Sequence, residues 1–270
     1  MVGKINRRAA LTLGGAALLG AAAGVGAATP ASAASAWVRL PLVTANIGRK
    51  NLAARGPAIR DVRAADDTRP LVGWQEISEG DSGEPALIEQ HFGSAYRNTF
   101  LRHDTAFRVP ISVPAPWVVV DTKPTFVHGG IAGVSPPRWI TEVVVRHETI
   151  PGLQFAVINT HYIAGAYNGA QNPDLRDEWN LHKQTHRDRV IAQHQQGRLV
   201  FWTADTNNPG YDKATGQDAE RKAFGSGIDR IDWLPPGNGS VQVELLNTKS
   251  VAMDVDGHDA RVAIFRVRTA

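Results

Sequence analysis

The 270-residue chain contains no cysteine. Disulfides and thiolate metal sites are therefore excluded, and any bound metal must be held by oxygen and nitrogen donors. An excess of charge of one sign is also missing. Lys4, Arg7 and Arg8 are the only charged residues among positions 1–36, which leaves 26 basic and 26 acidic residues in 37–270. The formal charge of +3 thus belongs to the N-terminal segment. A protein that lived on non-specific attraction to a polyanion would carry a basic excess across its folded part. The chain has no internal repeat, no low-complexity linker and, beyond its first residues, no apolar run long enough to span a bilayer.

What is present begins with an export signature. Asn6-Arg7-Arg8-Ala9-Ala10-Leu11 opens an Ala/Gly/Leu-rich run from Ala9 to Ala28, and small-residue cleavage options follow at Ala31-Ser32-Ala33 and Ala34-Ser35-Ala36. This layout reads as a twin-arginine signal. The run is rich in Ala and Gly rather than Leu and Ile, which argues against an uncleaved membrane anchor. The expectation is a signal over 1–36 and a secreted, monomeric domain over 37–270, without stable membrane association after cleavage. That length allows one large domain with a full core.

Apolar, β-branched runs bounded by Gly, Pro, Asn or Asp predict strands at Val38–Ala45, Pro70–Trp74, Trp117–Val120, Trp139–Val145, Gln154–Asn159, Leu199–Thr203, Arg230–Leu234, Val241–Leu246 and Val262–Val267. Helical patterns fall at Asn51–Ala65, Glu84–Phe92 and Asn172–Gln196, with a short fourth expected at Ala214–Phe224. Pro173 suits the start of the long helix and Gly197 its stop. Val109–Pro116 and His128–Pro137 read as loops bordering a cleft. Mixed strands with helices outside them predict a layered α/β protein with two packed sheets.

Polar residues close several of these runs: Asn46, Glu76, His161, Asp205 with Asn207, Asp232 and, just before the last strand, His258. Such groups are costly at buried strand ends unless they find partners or a metal. Their recurrence suggests one shared site. Asp205 and Asn207 are spaced to act on one phosphate, the carboxylate orienting or deprotonating water and the amide donating to a phosphoryl oxygen. The ordinary alternative is an Asx turn before Pro209. An Asp beside His258, with Asp232 as the candidate, would fix its tautomer and favour its charged form; the alternative is an exposed turn histidine. Glu76 is the leading ligand for a hard cation such as Mg²⁺, with Asn46 completing that shell or holding Glu76. His161 reads as a donor to a phosphoryl oxygen or as a satisfied core histidine. His182 and His186 share a helix face, but in so charged a segment they read as solvated. Ser226 lacks a Gly-x-Ser-x-Gly frame, which disfavours a serine hydrolase.

The order and spacing of these motifs resemble the endonuclease/exonuclease/phosphatase superfamily, from about Val38 to the C-terminus. Thr44-Ala45-Asn46-Ile47 is similar to its first-strand Asn motif, Gly73-Trp74-Gln75-Glu76 to its metal-ligand Glu motif and Asn159-Thr160-His161 to its Thr-His motif. Ala204-Asp205-Thr206-Asn207 resembles Gly-Asp-x-Asn, and Arg230-Ile231-Asp232-Trp233 resembles Arg-Ile-Asp-Tyr. Gly257-His258-Asp259-Ala260-Arg261-Val262 resembles Ser-Asp-His-x-Pro-Val, with Gly257 in place of the Asp and Arg261 in place of the Pro. The resemblance implies a four-layer α/β/β/α sandwich and a divalent cation, Mg²⁺ or else Mn²⁺ or Ca²⁺. It also implies in-line attack of water on a phosphate ester. Glu76 would bind metal, with Asn46 supporting it and Asp205. Asp205 would orient or activate the water, Asn207, His161 and His258 would stabilise the transition-state charge, and Asp232 would orient His258. The expected substrate is a phosphodiester, with DNA and RNA the leading candidates and phosphatase or sphingomyelinase action next. Gly257 motivates the alternative of a non-catalytic or weakly active binding protein on the same fold.

Overall fold

The computed structural model describes residues 35–48, 52–77, 83–98, 106, 108–133, 135–167, 173–255 and 257–270. Residues 1–34 of the expected export signal lie outside the described residues, as do Asn51, Asn172 and Asp256.

Strand alternation sorts the apolar residues into three layers. In β1 (Val38–Asn46), Leu40 and Leu42 face one core while Val43 and Ala45 face another. β1 pairs in parallel with β2 (Leu71–Gln75), which pairs with the short β4 (Ile111–Pro114), and β3 (Tyr96–Asn98) forms the edge. On its other side β1 runs antiparallel to β12 (His258–Thr269), which pairs with β11 (Val241–Val255). The result is a six-stranded mixed sheet in the order β11-β12-β1-β2-β4-β3.

The second sheet has the order β5-β6-β7-β8-β10-β9. It comprises β5 (Trp117–His128), β6 (Arg138–His147), β7 (Gln154–His161), β8 (Leu199–Asp205), β9 (Arg221–Lys222) and β10 (Asp229–Leu234). Between the sheets lies the central core, where Leu40, Leu42 and Phe265 meet Phe155, Val157, Phe201, Ile231 and Trp233. α1 (Arg55–Arg63) and α2 (Glu84–Phe92) cover the outer face of the first sheet through Ile59, Val62, Ile88 and Phe92. α3 (Pro173–Gln195) covers the second through Leu175, Trp179 and Val190. This is the expected four-layer α/β/β/α sandwich.

Some local expectations fail. Ala214–Phe224 is not a helix. Its backbone makes bends and β9, organised around the buried Glu220 carboxylate, which accepts hydrogen bonds from the Ala214 and Thr215 amides. Val109–Pro116 is not all loop, because Ile111–Pro114 forms β4 with every residue buried. β3 was not expected at all, and β5 and β11 extend well past their apolar runs. Of Asn51–Ala65, only 55–63 is α-helix, preceded by one 3₁₀ turn at Leu52–Ala54.

The largest correction concerns α3. His182 and His186 are not solvated: both are 0% exposed, while Leu181 is 48% exposed. The buried stripe is Leu175, Trp179, His182, His186, Val190 and Gln193, at helical spacing of three and four residues. The histidines occupy core positions because Tyr162 and Thr160 supply partners. The Tyr162 ring stacks on His182 at 4.1 Å and its hydroxyl lies 2.8 Å from His186 Nδ1, while Thr160 Oγ1 lies 2.6 Å from His182 Nε2.

Burial pushes His186 down to about 3 and His182 well below the ordinary histidine range. Below pH ~6.5 the unfolded chain therefore binds protons that the folded chain refuses. Stability is complete above that value and drains as pH falls toward 3, by about 1.4 kcal/mol per pH unit for each such group. Urea unfolding between pH 7 and 4 should show this loss. In His186→Gln, which removes the titrating ring but leaves an amide for Tyr162, the pH dependence should be shallower; equal slopes would contradict the account.

Candidate active site

The central core turns polar at one end. Along each strand the inward column changes character: Leu42 gives way to Thr44 and Asn46, Val157 to Asn159 and His161, and Phe201 to Thr203 and Asp205. The registers align the last members. His161 lies opposite Asp205 across β7–β8, and Asp229 opposite Asp205 across β8–β10.

Beneath the site runs a buried hydrogen-bonded layer. The Asn159 amide nitrogen donates to the Trp74 and Pro110 carbonyls at 2.7 and 3.1 Å. Its oxygen accepts from Gln75 Nε2 at 2.7 Å and Thr203 Oγ1 at 2.9 Å. Gly73 makes this possible, because a Cβ there would lie 2.0 Å from Thr203 Oγ1 and 2.7 Å from Asn159 Oδ1.

Above that layer, Asp205 is the hub. Its carboxylate accepts from Asn46 Nδ2 at 2.8 Å and the Asn207 amide at 2.8 Å, and lies 3.4 Å from His161 Nε2. Burial opposes its charge, but His161, His258 and the Asn207 amide hold it down at about 2. Asn207 sits in a left-handed turn at φ 47°, from which its side-chain nitrogen reaches the Tyr162 carbonyl at 3.0 Å and lies 3.1 Å from His161 Nε2. Glu76 also has left-handed backbone, φ 57°, and brings a carboxylate oxygen within 3.8 Å of His161 Nε2. Two non-glycine residues in that region within one site is the pattern of backbone strain held by function.

Asn46 stands differently from a direct ligand. Its oxygen accepts from the Gly48 amide at 2.9 Å and its nitrogen serves Asp205, so both ends of the amide are engaged within the protein. It positions Asp205.

Asp232 is not at the site. The partner of His258 is Asp229, whose Oδ2 lies 3.0 Å from His258 Nδ1. Asp232 is three residues further on, an odd step that carries it to the opposite face of β10. Ile231 and Trp233 enter the central core with Asp229's parity, while Asp232 turns outward with Arg230 and is pushed up to about 7 by burial. Burial opposes the charge on His258, but Asp229, Asp205 and Glu76 raise it to about 9. Burial raises Asp229 itself, against the pull of its hydrogen bond with His258.

Arg138 carries no motif and was not anticipated. Its Nη1 lies 3.2 Å from His161 Nδ1. The imidazole thus lies between Arg138 at Nδ1 and Asn207, Asp205 and Glu76 at Nε2. Asp229 was legible, because it shares the phase of Ile231 and Trp233. Nothing in the sequence pointed to Arg138.

One atom each from Asp205, Asp229 and His258 lies within 4.8 Å of the others, a group able to hold a metal ion. The donors suit a hard cation. Asp229 Oδ1 is buried with no hydrogen-bond partner, and three carboxylates converge here with Glu76 included. His258 fits less well, since its Nδ1 is engaged by Asp229 and its charged form is favoured. Within that group the carboxylates of Asp205 and Asp229 are thus the better donors.

No family model matches the sequence, and no curated protein matches it. The fold is nevertheless shared with solved structures. An endonuclease/exonuclease/phosphatase family protein from Bacteroides thetaiotaomicron superposes with a TM-score of 0.61 at 12% identity, over 86% of this chain and 96% of that one. ANGEL2, a 2′,3′-cyclic phosphatase in complex with adenosine-2′,3′-vanadate, gives 0.55 at 11% identity, over 86% and 98%. A mannosyl-6-phosphatase from Bacteroides thetaiotaomicron gives 0.54 at 13%, over 84% and 98%. At such identities the likeness establishes the fold and leaves the chemistry to the site.

Two outcomes follow from this geometry. In metal-free buffer, Asp229→Asn should lower the His258 titration midpoint from about 9 toward the ordinary histidine range, whereas Asp232→Asn should leave it in place. NMR titration of the imidazole separates the two. Gly73→Ala should cost about 3 kcal/mol in urea unfolding through overpacking of the Asn159 layer; a change below about 0.5 kcal/mol would show that the sheets can part there without strain.

Proposed function

We propose that the chain is a divalent-metal-dependent phosphoesterase, and within that class a phosphodiesterase or nuclease acting by in-line attack of water. The observation that carries this reading is the convergence of Glu76, Asp205 and Asp229 with His161 and His258 at one open end of the core. The phosphatase names of two structures sharing the fold support it. Glu76 and the unpartnered Oδ1 of Asp229 would hold the cation, with Mg²⁺ favoured over Mn²⁺ or Ca²⁺. Bound there, it would supply Lewis acidity to a phosphoryl oxygen.

The rest is done by the protein's own groups. Asp205, kept ionised, orients the attacking water and takes its proton as the new P–O bond forms. The water enters opposite the leaving oxygen, whose bond to phosphorus breaks. Asn207 and His161 donate toward the phosphoryl oxygens, where charge accumulates. His258, cationic at neutral pH, stabilises the same charge, and Asp229 orients it. Asn46 holds Asp205 and Arg138 braces the His161 ring. Export by the twin-arginine route and action as a secreted monomer complete the proposal.

The test is hydrolysis by residues 37–270 of plasmid DNA, RNA, bis-p-nitrophenyl phosphate and sphingomyelin, with Mg²⁺, Mn²⁺, Ca²⁺ or EDTA. EDTA-sensitive turnover is expected, reduced about 10²- to 10⁴-fold in Asp205→Ala and in His258→Ala. Undiminished turnover in both variants would remove the site assignment. No turnover with any cation would favour a binding protein on this fold.

A further inference from the structure

The row of inward residues does not stop at His161. Across β6–β7, Ile140 lies opposite Thr160, which sets Trp139 beside His161. Val143 and Val145 of β6 face the central core while Ile140 and Val144 face outward, so alternation places Trp139 on the inner face, with the site. The next strand continues the row, because Phe126 of β5 lies opposite Trp139. Their rings meet edge to face, with centroids 5.1 Å apart and planes at 68°. Phe126 is 52% exposed although it stands on the wall that elsewhere packs the core. In order across the sheet, the wall reads Asp229, Asp205, His161, Trp139, Phe126.

We propose that Trp139 and Phe126 form a stacking platform for the bases of a single-stranded nucleic acid whose phosphate sits among His161, Asp205 and His258. The inference rests on the phosphoester reading and names the substrate class for it. By strand spacing the two rings lie about 5 and 10 Å along the wall from His161. A group stacked there must be planar and tethered close to the reacting phosphate, which describes a nucleotide. Bases in a duplex already stack on their neighbours, whereas those of a single strand offer free π-faces that aromatic side chains accept with little regard to sequence. A lipid surface fits less well. The other large exposed apolar residues among those described, Leu52, Val120, Leu181 and Leu246, stand elsewhere in the fold, so Phe126 contributes one ring rather than a patch. The near balance of charge in 37–270 agrees with binding that draws on stacking more than on a basic surface.

The test compares two labelled hexanucleotides with the same phosphates, one bearing bases and one abasic throughout, by fluorescence anisotropy in EDTA so that neither is cut. The wild type should bind the base-bearing strand at least about tenfold more tightly. Phe126→Ala, at a half-exposed position that folding tolerates, should remove most of that preference, and Trp139→Leu should do the same. Equal affinity of the wild type for both strands, or a preference unchanged in both variants, would overturn the platform. So would binding to sphingomyelin vesicles that is lost in Phe126→Ala without any preference for bases. With Mg²⁺ added, equal cleavage of both strands would retain the phosphoester reading while rejecting the platform. Cleavage of neither, together with no turnover of bis-p-nitrophenyl phosphate under Mg²⁺, Mn²⁺ or Ca²⁺, would reject the phosphoester reading, and the EDTA comparison would still decide the platform.

Discussion

The site depends on one buried amide. Asn159 uses both hydrogens and both lone pairs of its side chain: two donors to backbone carbonyls of the first sheet's side, one acceptor bond from Gln75 of that sheet and one from Thr203 of its own. Each such group left unpaired in a buried layer would cost roughly 1–3 kcal/mol. The four bonds therefore fix the height of one sheet against the other far more sharply than apolar contact does, because apolar contact is non-directional. Asn46 and Glu76 come from the first sheet, and His161, Asp205 and Asp229 from the second. The meeting of Asn46 with Asp205 at 2.8 Å and of Glu76 with His161 at 3.8 Å is set by this layer, and Gly73 supplies the room for it.

Above that layer the problem becomes electrostatic. Three carboxylates share a small volume, and like charges at such range repel strongly in a medium less polarisable than water. The protein separates their roles. Asp205, ringed by Asn46, Asn207 and His161, is driven to about 2 in spite of burial. Asp229, with one oxygen on His258 and the other unpartnered, is raised by burial. Environments that push two neighbouring acids apart in this way are those from which distinct roles are assigned. The unpartnered oxygen and the surplus of negative charge leave a position that a divalent cation satisfies.

Much of this was legible in the sequence, and the failures have identifiable causes. The polar residues Asn46, Glu76, His161, Asp205, Asn207 and His258 do come together, because each stands at or next to the end of a strand whose burial is dictated by its neighbours. The motif spacing points to Asp232, whereas strand phase selects Asp229. Ile231 and Trp233 set the inward phase, and a three-residue offset reverses the face. The charge content of α3 suggests solvated positions for His182 and His186. Its buried stripe is defined by phase instead, and two of the six positions on it hold polar rings whose partners, Tyr162 and Thr160, are distant in sequence. Arg138 was invisible for the same reason: its meaning lies in the ring it meets across β6–β7. The region 214–224 looked helical because the dominant organiser, Glu220, acts through its side chain on the backbone amides of Ala214 and Thr215.

The same phase argument bears on Gly257. An acid directly before His258 was expected to support the site, and a glycine in its place suggested a disabled one. Gly257 adopts φ +79°, and an added Cβ would meet nothing within 4 Å. The backbone there is of the left-handed kind that glycine adopts without strain, so the turn into β12 is built for the residue it has. A cavity of about 440 Å³ opens beside it, lined among others by Asp229, Asp254, Gly257, His258 and Arg261. His258 has not lost its carboxylate partner, since Asp229 approaches from β10 of the other sheet and holds it in the charged form. What the glycine changes is room at the mouth of the site, while the orientation of the histidine is secured from across the sandwich by the strand that also faces Asp205.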